Sequence, residues 1–249
     1  MTASVPATVL ATFLIFCRVG TCLMVAPGFS RANVPVQVRL FLAINITLML
    51  APLLEATVRP AVEGAATPVV VRAIGSELVI GFLIGLSARV FFLALETMAT
   101  MIASNIGLSG IAGTMEDGEH VPALVPLITL PAVVLLFLTD QHWELLRGLI
   151  GSYRLWSPTA VVSSEAALSQ LTDNLSQAFV LTLRVASPFV IYGIVVNLAI
   201  GLANKLTPTI PVYFISLPFV LFGGLMLLYL TGRELVQQFA IAFASWLGG

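Results

Sequence analysis

Six apolar stretches, 7–27, 36–54, 73–104, 122–139, 178–203 and 210–231, punctuate this chain. Each comes close to or exceeds the roughly 20 apolar residues that a helix needs to cross a bilayer core. Turn-forming sequences separate them: "PGFSRANVP" after the first, "EATVRPAVEGAATP" after the second, "GLSGIAGTMEDGEHVP" after the third. The fold class this implies is an all-α membrane protein of about six hydrophobic helices or helical hairpins, forming a single domain over residues 1–249. Composition agrees, because 9% charged and 59% hydrophobic residues lie far from the roughly 25% charged content of a soluble domain. The mean hydropathy is +1.05. A formal net charge of −1, with 11 Lys and Arg scattered singly, leaves no basic patch, and no nucleic-acid partner is expected.

The N-terminal "MTASVPATVLATFLIFC" has no basic residue before its apolar run and no small-residue cleavage site after Arg18, so it is read as a retained helix. Cys17 and Cys22 stand five apart, about 140° around a helix, a poor arrangement for a disulfide or a metal pair. They are read as small apolar residues.

Two further stretches have helical amphipathic spacing and are expected not to span. Leu168, Leu171, Leu175 and Phe179 recur at three and four in "SEAALSQLTDNLSQAF", and Leu235, Phe239, Phe243 and Trp246 do so in the tail. Either could lie along a bilayer surface or along another protein.

Charges interrupt the apolar segments at Arg18, Arg39, Glu77, Arg89, Glu96 and Arg184. A charge at a bilayer centre costs at least ~2.5 kcal/mol. Arg18 and Arg39 could snorkel to an interface, but the set as a whole calls for burial against protein or a polar lumen. With six spans, Arg59, Arg72, Arg147, Arg154 and Arg233 fall on one side and Arg31, Arg39 and Lys205 on the other, a bias too small to fix orientation.

Glu77, Gly81, Gly85 and Arg89 lie at steps of four in "ELVIGFLIGLSAR", and Gly193, Asn197, Gly201 and Lys205 repeat the pattern in "GIVVNLAIGLANK". Each set forms one ridge of a helix, small in the middle and polar at an end. Such a ridge either arises from chance in a glycine-rich chain or marks tight helix association, with Glu77 and Arg89 meeting partners on other helices. Between the third and fourth segments, Gly107, Gly110, Gly113 and Gly118 surround Leu108, Ile111 and Met115, followed by Glu116, Asp117 and Glu119. Glycines at this density weaken a helix. The stretch is either an exposed turn or a re-entrant segment lining or closing a lumen.

Catalysis finds little support. "GLSG" matches the glycine-x-serine-glycine pattern of rhomboid-type intramembrane proteases, but such a serine needs a histidine base. The two histidines are His120 and His142, and none follows on a later helix. No zinc-binding "HExxH" pattern or nucleotide-binding "GxxxxGK" pattern occurs. No cofactor or metal is expected.

Four blocks resemble the FliR family, membrane subunits of the flagellar type III protein export gate. They are "FCRVGTCLMVAPGFSRANVPVQVRLFLAI", "SELVIGFLIGLSARVFFLALETMATMIASNIGLSGIAG", "DQHWELLRGLIGSYRLWSP" and "RVASPFVIYGIVVNLAIGLANKLTPTIPVYFISLPF". The last is the most characteristic. The chain departs from the family at Thr209, where glutamine is common, and at "EDGEH", where aspartate-proline often follows the glycine loop.

The resemblance implies a non-enzymatic subunit wound with FliP and FliQ into a pore, with FlhB associated, through which unfolded flagellar proteins pass. It implies a pore plug at Gly107, Leu108, Ser109, Gly110, Ile111, Ala112, Gly113, Met115, Glu116 and Asp117. It also marks Lys205, Pro208, Thr209, Pro211 and Pro218 as the family's hairpin motif, a turn between two helices at Pro208 and Pro211 with Pro218 kinking the second. Two alternatives remain, the homologous subunit of a virulence injectisome and a small-molecule secondary transporter using the break near Pro208.

Overall fold

The structure is a computed structural model and describes residues 5–29, 34–109, 112–116, 119–156, 158 and 164–248. Its helices are α1 (Val5–Val25), α2 (Val36–Val58), α3 (Thr67–Asn105), α4 (Leu124–Leu138), α5 (Gln141–Leu155), α6 (Ser164–Leu206) and α7 (Val212–Gly248). A 3-10 turn covers Arg59–Ala61, and two short strands, β1 (Ala112–Glu116) and β2 (Glu119–Pro122), pair antiparallel. Among the described residues, five helices are long and apolar enough to cross a membrane, and a sixth crossing is reached if α4 and α5 count together. The molecule is thus an all-α membrane protein with one small hairpin.

Three boundaries differ from the sequence expectation. The amphipathic stretch beginning at Ser164 is helical but continuous with the apolar segment after it, giving a 43-residue α6. The amphipathic tail likewise extends α7 to 37 residues. Neither junction contains a glycine-proline break, so nothing stops the ladder, and a change of hydrophobic pattern along a helix does not end it. The third difference is α5, which the apolar count passed over because its fifteen residues, "QHWELLRGLIGSYRL", are half polar. It is separated from α4 at Asp140, which takes a left-handed backbone (φ 57°) that aspartate tolerates better than most residues.

Two compact units form. The first holds residues 1–91 and 140–175, the second residues 92–139 and 176–247. In the first, α1 buries Ala11, Leu14, Ile15, Val19, Cys22 and Leu23 at steps of three and four. Both cysteines are buried free thiols. From α2, Ala43, Thr47, Leu54 and Val58 turn inward. Thr8 of α1 donates to Glu55 Oε1 of α2 at 2.8 Å. In the second unit, α3 contributes Leu95, Met98 and Ile102, Ile106 follows just past its end, and the α7 tail contributes Leu235, Phe239 and Phe243. Phe92 meets Phe239 and Phe243 edge-on at 5.4 and 5.7 Å, the preferred aromatic geometry. The apolar face of the tail therefore lies along the chain's own α3.

Helices α6 and α7 leave most of their apolar surface uncovered. Only 17% and 6% of their membrane-length windows are buried, against 50% for α1 and α3. Among the exposed side chains are Ile194, Leu198, Phe219, Phe222 and Tyr229.

Candidate functional site

In the first unit, a polar cluster is sealed inside apolar helices. Arg18 is 0% exposed, so it does not snorkel. Its Nε donates to Glu77 Oε2 at 2.6 Å and its Nη2 to Glu77 Oε1 at 2.9 Å, a bidentate pair. Nη1 donates to Ser152 Oγ at 2.8 Å, and Nη2 also donates to the Trp156 carbonyl at 3.0 Å. The guanidinium carbon stands 3.7 Å from the Tyr153 ring centroid, and the Tyr153 hydroxyl donates to Glu77 Oε2 at 3.3 Å. Pairing with an opposite charge and several hydrogen-bond partners is what makes a buried charge tolerable. Arg18 thereby joins α1 to α3 and α5.

The ridge running from Glu77 turns the same way. A Cβ at Gly81 would collide with the Arg18 carbonyl and Thr21 Oγ1 of α1, and one at Gly85 would stand 2.6 Å from the Cys22 carbonyl. The two glycines thus let the backbones of α1 and α3 touch. Arg89 continues the ridge but is exposed, while Arg39 donates its Nε to the Val34 carbonyl at 3.0 Å, near the start of its helix.

Around the glycine loop, the end of α3 is built with care. Gly107 has φ +80°, and the Leu108 N–H donates to the Ala103 carbonyl at 2.8 Å. That six-to-one bond with a left-handed glycine is a Schellman cap. Gly107 is therefore the stop of the helix. Leu108 is half-buried and Ser109 exposed. Ala112, Gly113, Met115 and Glu116 lie in β1, whose register pairs Glu116 with Glu119 and Met115 with His120. Gly110, Ile111 and Asp117 lie outside the described residues. The strand pair was not expected, although Asp-Gly between Glu116 and Glu119 is a strong hairpin signal.

On the second ridge, Gly193 is buried against Asn105, whose Cγ would lie 2.9 Å from a Cβ there. Asn197 and Lys205 are exposed, and Gly201 faces open space. Gly224 of α7 receives Ile106 in the same manner, with Cγ2 2.7 Å from a built Cβ. Asn105, Ile106 and Gly224 were missed because no residue spacing announces which side chain fills a notch on another helix.

The hairpin motif forms the connection between α6 and α7. The Ile210 N–H donates to the Thr207 carbonyl at 3.2 Å, closing a turn with Pro208 in its second position, where a fixed φ is preorganised. Thr209 is exposed in the third position. The Pro211 carbonyl accepts from Phe214 at 3.1 Å at the start of α7, and Lys205 lies in the last turn of α6. Pro218 sits inside α7 with its side chain exposed.

The family model for bacterial export proteins, family 1, matches residues 9–246 of the chain. The chain belongs to that family. Among curated relatives of this export family, the flagellar biosynthetic protein FliR of Caulobacter vibrioides is 29% identical over 223 residues, 88% of this chain and 86% of the relative. FliR of Escherichia coli K12 is 28% identical over 213 residues, 85% of this chain and 80% of the relative. Yop proteins translocation protein T of Yersinia pestis is 24% identical over 149 residues, 58% of this chain and 57% of the relative.

Proposed function

We propose that this chain is a structural and gating subunit of the flagellar type III export gate in the bacterial inner membrane. It packs with FliP and FliQ, has FlhB as a neighbour, and helps form and seal the channel for unfolded flagellar proteins. Its role is assembly and closure rather than catalysis, and residues 1–249 act as one export-gate domain. The observation carrying this reading is the family match over residues 9–246 together with relatives named flagellar biosynthetic protein FliR. The uncovered apolar faces of α6 and α7 are surfaces on which lipid or partner subunits would pack. Purification of the tagged chain in mild detergent, followed by mass spectrometry, should recover the partner gate subunits in fixed proportion. Recovery of the chain alone would overturn the proposal.

Within that gate the loop from Gly107 to Asp117 closes the pore, and the glycine ridges serve close helix packing. Shortening 107–117 should make cells permeable to small ions while the complex still assembles, as read by solute uptake. The similarity to Yop proteins translocation protein T favours a second reading, an injectisome subunit. Restoration of motility in a strain lacking its flagellar counterpart, against restoration of effector secretion, separates the two.

A further inference from the structure

We propose that the end of α3, Asn105 with the capping residue Ile106, is a fixed anchor for the glycine loop, gripped by the α6–α7 hairpin. The inference rests on the reading that this loop closes the pore. Asn105 occupies the space left by the absent side chain of Gly193, and the wholly buried Ile106 occupies that left by Gly224. Beside the first notch, the Tyr192 hydroxyl donates to the Val220 carbonyl at 2.8 Å and lies 2.6 Å from where a Gly223 side chain would start. Tyr192 thus ties α6 to α7 at the level of both notches. Gly107 then rests near Leu217, Val220 and Leu221 while its cap bond ends the helix.

Such a junction is close-packed on three elements, and close-packed interiors shift between discrete arrangements rather than deform gradually. Asn105, Gly107 and Leu108 are half-buried around the buried Ile106, and Ser109 is exposed. Asn105 is therefore a positioning residue: it sets where the loop starts, and the hairpin sets where Asn105 sits.

A cysteine pair, Asn105→Cys with Gly193→Cys, tests this, since a Gly193 Cβ would lie 3.1 Å from that of Asn105, a few tenths of an ångström short of the roughly 3.5 Å at which disulfide spans begin. Oxidation of cells with copper-phenanthroline should cross-link most of the chain, with export and small-solute leak within about twofold of the same reduced cells. Absence of cross-linking overturns the anchor. A tenfold loss of export restored by reductant also overturns it, because the turn would then have to move.

Positioning is read separately. Gly193→Ala should raise leak severalfold, and adding Asn105→Ala should return it to the parental level. Should Gly193→Ala instead lower recovery of the complex, rescue of recovery and sealing by Asn105→Ala supports the notch, and failure of rescue overturns it. Parental leak in Gly193→Ala cells, where a shortened 107–117 loop does leak, rejects the anchor and keeps the pore-closing reading. A shortened loop that seals normally rejects the pore-closing reading, and the cross-link alone then decides the anchor.

Discussion

Arg18 and Glu77 illustrate how a charge survives in an apolar helix pair. Both oxygens of the carboxylate accept from the guanidinium, and Ser152 and the Trp156 carbonyl take further donors. Removing one partner strands the other in a dry site, a loss on the order of 3–5 kcal/mol. Glu77→Leu should therefore lower the folded yield of purified protein sharply. The double change Arg18→Met with Glu77→Leu should recover much of it, because an apolar pair of similar volume avoids the desolvation. Thermal unfolding in detergent measures both. Gly81 is constrained more tightly, because its missing Cβ faces the backbone of α1 and a backbone cannot rotate away. Gly81→Val should separate α1 from α3, seen as protease sensitivity of the first unit. Gly201, which faces open space, should accept alanine in the isolated chain with little change.

At the level of elements, the end of α3 depends on one left-handed residue. A Cβ at Gly107 would find ordinary contacts of 3.7–3.8 Å with Val220, Leu217 and Leu221, so space is not the constraint. Backbone conformation is. Gly107→Ala should cost about 1 kcal/mol through the strain of a positive φ, read as a lower midpoint of thermal unfolding. Much of the element map was legible in the sequence, since apolar runs of bilayer length and proline-glycine punctuation identified the positions of α1, α2, α3, α6 and α7. Helix α5 was not, because a half-polar helix carries no bilayer-length signal, and the strand pair was announced only by its Asp-Gly turn. The continuity of α6 was hidden for a related reason: its amphipathic start and apolar remainder have different patterns but share one uninterrupted hydrogen-bond ladder. The ridge at Gly81 and Gly85 could be seen from spacing. Which helix it met, and that Arg18 would complete the site, depended on helix rotations that no spacing records.

For the whole molecule, the division of burial is instructive. Helices α1 and α3 cover half of their membrane-length windows within the chain, whereas α7 covers 6%. Placing a charge on the uncovered face, as in Phe222→Arg, should leave the internal packing of the isolated chain intact while reducing co-purification of partner subunits. Loss of folded monomer would instead show that this face is needed within the chain itself.

The polar cluster also sets an order of events during synthesis. Arg18 meets Glu77 59 residues later and the Trp156 carbonyl 138 residues later. As the chain emerges from the ribosome, the first helix enters the membrane with an unmatched cation, at a penalty of at least ~2.5 kcal/mol. That penalty falls only when the third helix arrives. Nascent chains halted after residue 65 should accordingly insert α1 less completely than chains halted after residue 150, when all of α3 has left the ribosome, and Arg18→Leu should abolish the difference in a protease-protection assay. The first helix is thus committed to the bilayer by a residue that has yet to be translated when it leaves the exit tunnel.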